Sequence, residues 1–233
     1  RERISIDAWR ILSQLEEQFV MPGVSPAIQL NAALECLDDV ILTLTAFTGQ
    51  TTEGMTHEKG WRFLDMGRRL ERANHLLDIL YRAMGHSDAT ETQRMQSLLE
   101  IANNAMTYRS RYQTSVQAGP VLDLLIMDES NPRSLVYQIA ALEQSINALN
   151  GASAQGERTP AQRIVMRTLT AVRLAEIPTL ATPTPRKRRS AVTKLVDRLR
   201  GDLAELSNEL TRRYLSHARA SRHLSDRGVY RSP

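Results

Sequence analysis

The stretch from Pro26 to Phe47, PAIQLNAALECLDDVILTLTAF, decides the fold class. Leu30, Leu34, Leu37, Ile41 and Leu44 recur at intervals of three and four, so they form one apolar stripe on an α-helix, and Ala33, Cys36, Val40 and Phe47 widen it. A stripe this wide predicts a helix at the centre of a bundle. Glu35, Asp38 and Asp39 crowd one face at i, i+3 and i+4. A solvated acidic face is the simpler reading, and carboxylates offered to a metal or to arginines are the alternative. Cys36 is the only cysteine, so no disulfide forms within the chain, and it fits as a small core residue.

Proline placement extends the helical reading in both directions. Proline costs nothing at a first helical position but roughly 3 kcal/mol in a helix interior. Ser25-Pro26, Asn131-Pro132 and Thr159-Pro160 each pair a capping residue with proline and open a stretch of helical periodicity. The predicted helices are Ser5 to Phe19, Pro26 to Phe47, His57 to Met84, Glu91 to Gln117, Val121 to Met127, Pro132 to Leu149, Pro160 to Leu174 and Lys187 to His217. The connectors Gly49 to Gly54, Gly85 to Ala89 and Gly151 to Glu157 are short enough to join antiparallel neighbours, and none reads as a domain linker. Alternating β-branched runs joined by tight turns are missing. The expectation is an all-α fold: one domain over residues 1–233, an antiparallel bundle of about seven to eight helices.

The composition agrees. Of 233 residues 42% are hydrophobic and 24% charged, which supports a sizeable core in water. No apolar run of about 18 residues is present and no leader pattern opens the chain, so neither a membrane span nor a membrane partner is expected and a cytoplasmic location is. The chain begins at Arg1 without a methionine, which predicts a further segment upstream. The net charge is +4, with a basic run at Arg186, Lys187, Arg188 and Arg189. Without interleaved aromatics, that run reads as a solvated helix start, and nucleic-acid binding ranks last among the readings.

The segment from Gly60 to Ala73, GWRFLDMGRRLERA, carries the chemistry. At 100° per residue Phe63, Met66, Leu70, Ala73, Leu77 and Leu80 share a sector, whereas Arg68, Arg72 and His75 lie almost opposite with Trp61, Leu64 and Ile79, and Glu71 stands at the edge. Guanidiniums on a partly apolar face need carboxylate or carbonyl partners, and Glu71 is the nearest candidate, so a contact between Glu71 and arginine is predicted. An ion-pair network fixing helix register ranks ahead of a substrate site, and both use the same residues. Tyr108, Arg109, Arg111 and Tyr112 form a second patch, suited to stacked ion pairs or an anion-binding wall. Asp128-Glu129-Ser130-Asn131-Pro132-Arg133-Ser134 is a third, with Asn131 as N-cap or the helix start as an anion site.

Taken in order, these residues resemble the alpha-E family of bacterial helical domains. The run Trp61, Phe63, Gly67, Arg68, Leu70, Glu71, Arg72, Ala73 is similar to its "ER" signature region, with Glu and Arg adjacent here. The resemblance continues in Arg1-Glu2-x-Ile4-Ser5 with Trp9, in Phe47-x-Gly49 with Met55, in Tyr108-Arg109-x-Arg111-Tyr112, and in Asp128 with Asn131-Pro132-Arg133-Ser134 and Gln138. Family members usually begin with another helix bearing a Gly-Arg-x-x-Glu-Arg element, so this chain looks like an N-terminally shortened copy. The resemblance implies an association, in cis or in trans, with circularly permuted ATP-grasp ligases, in a setting of peptide or amide-bond formation.

The leading expectation is an accessory module that binds such a ligase or its peptide-like substrate and does not catalyse turnover by itself. Its candidate recognition residues are Arg68, Glu71, Arg72, Arg109, Arg111, Asp128, Asn131 and Arg133. No cofactor and no metal site are expected, since there is no phosphate-cradling glycine loop and the five histidines lack ligand spacing. The alternative is a stand-alone enzyme on a carboxylate or amide substrate, with Glu71 as acid/base and the arginines as clamps.

Overall fold

The computed structural model describes residues 5–19, 30–150, 157–186 and 188–215. Among them lie ten α-helices and two single-turn π-helical segments, and the one β feature is an isolated bridge between His86 and Arg188. The all-α class is therefore as expected. No helix among the described residues is long and apolar enough to cross a membrane. The chain divides into two compact units, Arg1–Asp65 and Met66–Pro233.

The first unit holds α1 (Ile6–Phe19), α2 (Leu30–Gly54) and the opening turns of α3 (Lys59–Met84). α1 packs along α2, and Ala8, Val40 and Phe47 are buried. The expected central position of α2 is not what this unit shows: Leu30, Leu34, Leu37, Ile41 and Leu44 are 46% to 72% exposed, and Cys36 is half-buried. Among the described residues of this unit α1 covers one seam of α2, whereas the wide stripe in the sequence calls for neighbours on two sides. α2 also runs through the expected connector 49–54. Along it the hydroxyls of Thr48, Thr51 and Thr52 donate to carbonyls one turn back, at 2.8 Å for Thr48 to Leu44, Thr51 to Phe47 and Thr52 to Thr48. The Ser25-Pro26 helix start lies outside the described residues.

The second unit contains the larger core. α3 buries Met66, Ala73, Leu76, Leu77, Leu80 and Met84, largely the sector that its periodicity predicts. α7 (Leu135–Asn150) packs on α8 (Pro160–Arg173), which packs on α10 (Ser190–Leu210). α8 opens as expected from Thr159-Pro160, in a capping box. The Thr159 hydroxyl accepts the Gln162 amide at 3.3 Å, and the Gln162 side chain accepts the Thr159 amide at 2.9 Å.

α7 starts at Leu135, three residues later than expected, and three other expected helices of this unit differ as well. The stretch 91–117 breaks at Asn103, whose φ of 51° is left-handed, so it becomes α4 (Glu91–Ile101) and α5 (Ala105–Tyr112). The expected helix 121–127 is α6 (Ala118–Leu122) running into a π-helical turn, Asp123–Met127, closed by the Asp128 amide on the Asp123 carbonyl. α10 starts at Ser190, three residues later than expected, and the proline-rich connector before it contains a short α9 (Ile177–Ala181).

Candidate functional site

Of the α3 residues read as a second, partly apolar face, Arg72, His75 and Ile79 share one side. Arg72, His75 and Ile79 stand at i, i+3 and i+7 and, with Leu76, form one wall of a pocket of about 230 Å³. Ile101 and Ala102, where α4 ends, close a second side, and Pro132, Arg133 and Gln138 close the third. The floor is thus apolar and the polar groups are guanidinium, imidazole and amide, with no carboxylate among the lining residues. The Arg133 side chain makes no ion pair or hydrogen bond among the described residues. Ile79 and Ile101 also line an adjoining depression of about 320 Å³ with Ala83 and Leu98, so the apolar floor continues past the cationic end along α3 and α4. At the far end Arg94 is fully engaged: it reaches Asp88 at 2.7 Å, Thr90 at 2.6 Å and the His86 carbonyl at 2.8 Å.

The turn that presents Arg133 is built by the third patch of the sequence. Asp128 accepts the Ser130 amide at 3.0 Å and the Ser130 hydroxyl at 2.6 Å, and its other oxygen accepts Arg111 at 2.5 Å. Burial works to raise the Asp128 pKa, but the Ser130 hydroxyl, Arg111 and the Ser130 amide outweigh it and hold the carboxyl below its ordinary value. Donation to Asp128, and then the bond with Tyr112, raises the Arg111 pKa further. Asn131 is buried; its Nδ2 donates to Asn104 Oδ1 and to the Leu124 carbonyl, both at 2.9 Å, while its Oδ1 accepts the Arg133 amide at 3.0 Å.

This corrects the reading of Asn131 as an N-cap. Ser134 caps α7, its hydroxyl accepting the Tyr137 amide at 3.2 Å and donating to the Asp128 carbonyl at 2.7 Å. Gln138 donates to the Pro132 carbonyl and accepts Arg69 at 3.3 Å, which ties the turn to α3.

The eight expected recognition residues therefore separate by place. Arg72 and Arg133 meet at the pocket, whereas Arg111, Asp128 and Asn131 brace the turn beneath it. Arg68 is half-buried and engaged, and Arg109 is exposed away from the pocket lining. Glu71 is exposed and makes no ion pair among the described residues, so the predicted contact between Glu71 and arginine is corrected. The helical wheel set Glu71 at the edge of the sector, and in the structure that edge faces water. In the second patch Tyr108 is buried and receives the Gln117 amide at 3.1 Å, and Tyr112 donates to Asp123 at 2.6 Å. Burial and that bond push the Tyr112 hydroxyl up to about 12. No group of three or more His, Cys, Asp or Glu among the described residues is placed to hold a metal ion.

The basic run before α10 holds a residue that sequence reasoning missed. Arg189 is 3% exposed, not a solvated cation. It pairs with Glu91 at the start of α4 and donates from Nε to the Ala181 carbonyl at 2.8 Å. A partner 98 residues away leaves no trace in local sequence.

Comparison with known proteins places this architecture. Over 220 residues the chain is 27% identical to an uncharacterised protein of Mycobacterium bovis and, equally, to uncharacterised proteins of two Mycobacterium tuberculosis strains. The alignments cover 91% of this chain and 24% of each relative, so the chain spans about a quarter of the length of the curated relatives it matches. No solved structure matches. The family profile of Alpha-E, described as a predicted alpha-helical domain with a conserved ER motif, matches residues 1–215 and so extends over both units. The chain belongs to the Alpha-E family.

Proposed function

We propose that this Alpha-E domain is an accessory recognition module, cytoplasmic and non-catalytic by itself, that serves an ATP-grasp-type ligase in peptide or amide-bond formation. Its pocket takes the anionic end of a peptide-like substrate. The observation that carries the reading is Arg133, a guanidinium without an ion pair among the described residues, at the rim of an apolar-floored pocket beside Arg72. An ionised donor on such a floor gains most from a planar carboxylate, which it meets through two parallel hydrogen bonds. The adjoining depression along Ile79, Ala83, Leu98 and Ile101 suits an apolar side chain of the same ligand.

Turnover is assigned to the partner. Glu71 stands outside the pocket lining, and the one imidazole in it, His75, has no acid partner among the lining residues to orient it. The adjacent Glu71-Arg72 pair thus contributes its arginine to the pocket and leaves its acid in water.

The experiment is reconstitution. A cognate ATP-grasp ligase is assayed for product with this domain, without it, and with Arg133→Ala. Product formation should fall when the domain is omitted, and Arg133→Ala should raise the substrate concentration needed at constant turnover. The domain alone should hydrolyse neither ATP nor amides. Turnover by the domain alone that Glu71→Gln abolishes would overturn the accessory reading in favour of an enzyme.

A further inference from the structure

Elsewhere in the second unit, with no lining residue in common with the pocket, α8 and α10 present a second concave surface, of about 450 Å³. Arg163, Met166, Arg167, Thr170, Ala171 and Leu174 line it from α8 at helical spacing, a strip about 16 Å long. Arg198 of α10 and Arg158, just before α8, complete it. Its lining carries four arginines and no carboxylate. α10 sends Asp202 and Glu205 to this side, and both go to Arg167, each at 2.7 Å. The side chains of Arg158, Arg163 and Arg198 make no ion pair or hydrogen bond among the described residues. Leu174 is 75% exposed on the same strip.

Guanidiniums gathered on one face repel each other, and an exposed leucine beside them gains nothing from water. A ligand that answers both features carries carboxylates around an apolar side chain. Nucleic acid answers only the first, since the surface has no aromatic ring for a base to stack on. We propose that the α8–α10 face docks an acidic segment of a partner protein, with carboxylates on Arg158, Arg163 and Arg198 and a leucine-like side chain against Met166 and Leu174. The proposal concerns a surface separate from the Arg72–Arg133 pocket and does not depend on what that pocket binds.

The test is fluorescence anisotropy with the full chain and a labelled peptide, Glu-Glu-Leu-Glu-Glu-Leu-Glu. A serine-for-leucine version and a single-stranded oligothymidine serve as comparisons. Arg163→Glu with Arg198→Glu should weaken binding of the leucine peptide about tenfold or more. Leu174→Ser, or serine in the peptide, should each weaken it about threefold to fivefold. Where the double variant fails to fold, as circular dichroism reports, the Leu174→Ser and serine-peptide comparison decides. Absence of binding at millimolar peptide, or binding indifferent to these changes, overturns the proposal. So does oligothymidine that binds as tightly and ignores Leu174→Ser, because the face is then a general polyanion patch.

Discussion

Replacing Glu91 with alanine should be among the most damaging single changes in the second unit. The side chain of Arg189 is 4% exposed and that of its partner Glu91 only 14%, so the pair lies almost wholly out of water. Arg189 also binds the Ala181 carbonyl through Nε, and its backbone amide donates to the Gly85 carbonyl at 3.2 Å. One side chain therefore holds the start of α10, the end of α9 and the start of α4 together. Its Nη1 has no hydrogen-bond partner among the described residues, so the Glu91 carboxylate is the compensation for the buried charge. Removing it leaves an unpaired buried cation, at a cost of about 3–5 kcal/mol. At roughly 2–4 °C per kcal/mol for a chain of this size, the melting temperature should drop by about 10 °C. Thermal denaturation followed by circular dichroism at 222 nm measures this. Asp78→Ala, which breaks the exposed pair with Arg200, supplies the contrast, with at most about 1 kcal/mol at stake. Replacing both partners, Glu91→Leu with Arg189→Met, should recover most of the loss. Equal small shifts for Glu91→Ala and Asp78→Ala would refute the reasoning.

Three further outcomes follow from the same geometry. Asn131→Ala should cost about 2 kcal/mol in denaturant melts, because the Leu124 carbonyl and Asn104 Oδ1 each lose a buried donor. Thr159→Ala should cost about 1 kcal/mol by removing the α8 cap, and Thr159→Ser should restore it. The carboxyl of Asp88 is held at about 2 by the hydrogen bond from Arg94, then by the Thr90 hydroxyl and amide, against an ordinary 3.8. With the folded pKa lowered, the contribution of Asp88 is present above the ordinary value and is lost as pH falls through the window from about 4 to 2. Melting curves across that window should show a smaller acid-induced loss for Asp88→Asn than for the parent.

What was legible in the sequence was whatever helical periodicity alone controls. The buried sector of α3, the capping box at Thr159 and the common face of Arg72, His75 and Ile79 all depend on residues within a few turns of one another. The pocket's other walls, Ile101 from α4 and Arg133 from the turn before α7, depend on which helices become neighbours, and no local pattern states that. Arg111, Asp128 and Asn131 read in the sequence as a polar group, and the structure engages them in the turn, Arg111 with Asp128 and Asn131 with Asn104 and the Leu124 carbonyl. Residues that can bind an anion can equally satisfy a tight turn, and Asn103 in a left-handed conformation brings Asn104 to the place where Asn131 needs a partner. Arg189 shows the reverse error, a cation that local charge density assigns to solvent and a distant glutamate holds inside. The α2 stripe warns that periodicity records which face is apolar, not how much of it a neighbour covers.

The central claim, that the Arg72–Arg133 pocket recognises the anionic end of a peptide-like ligand, is tested most directly by calorimetric titration of the chain with a short leucine-containing peptide as free acid and as C-terminal amide. A charge-assisted pair is worth about 1.5–3 kcal/mol, so the free acid should bind roughly tenfold to a hundredfold more tightly than the amide, and Arg133→Ala should erase the difference. Equal affinity for acid and amide, or a preference that survives Arg133→Ala in a folded protein, would contradict the account.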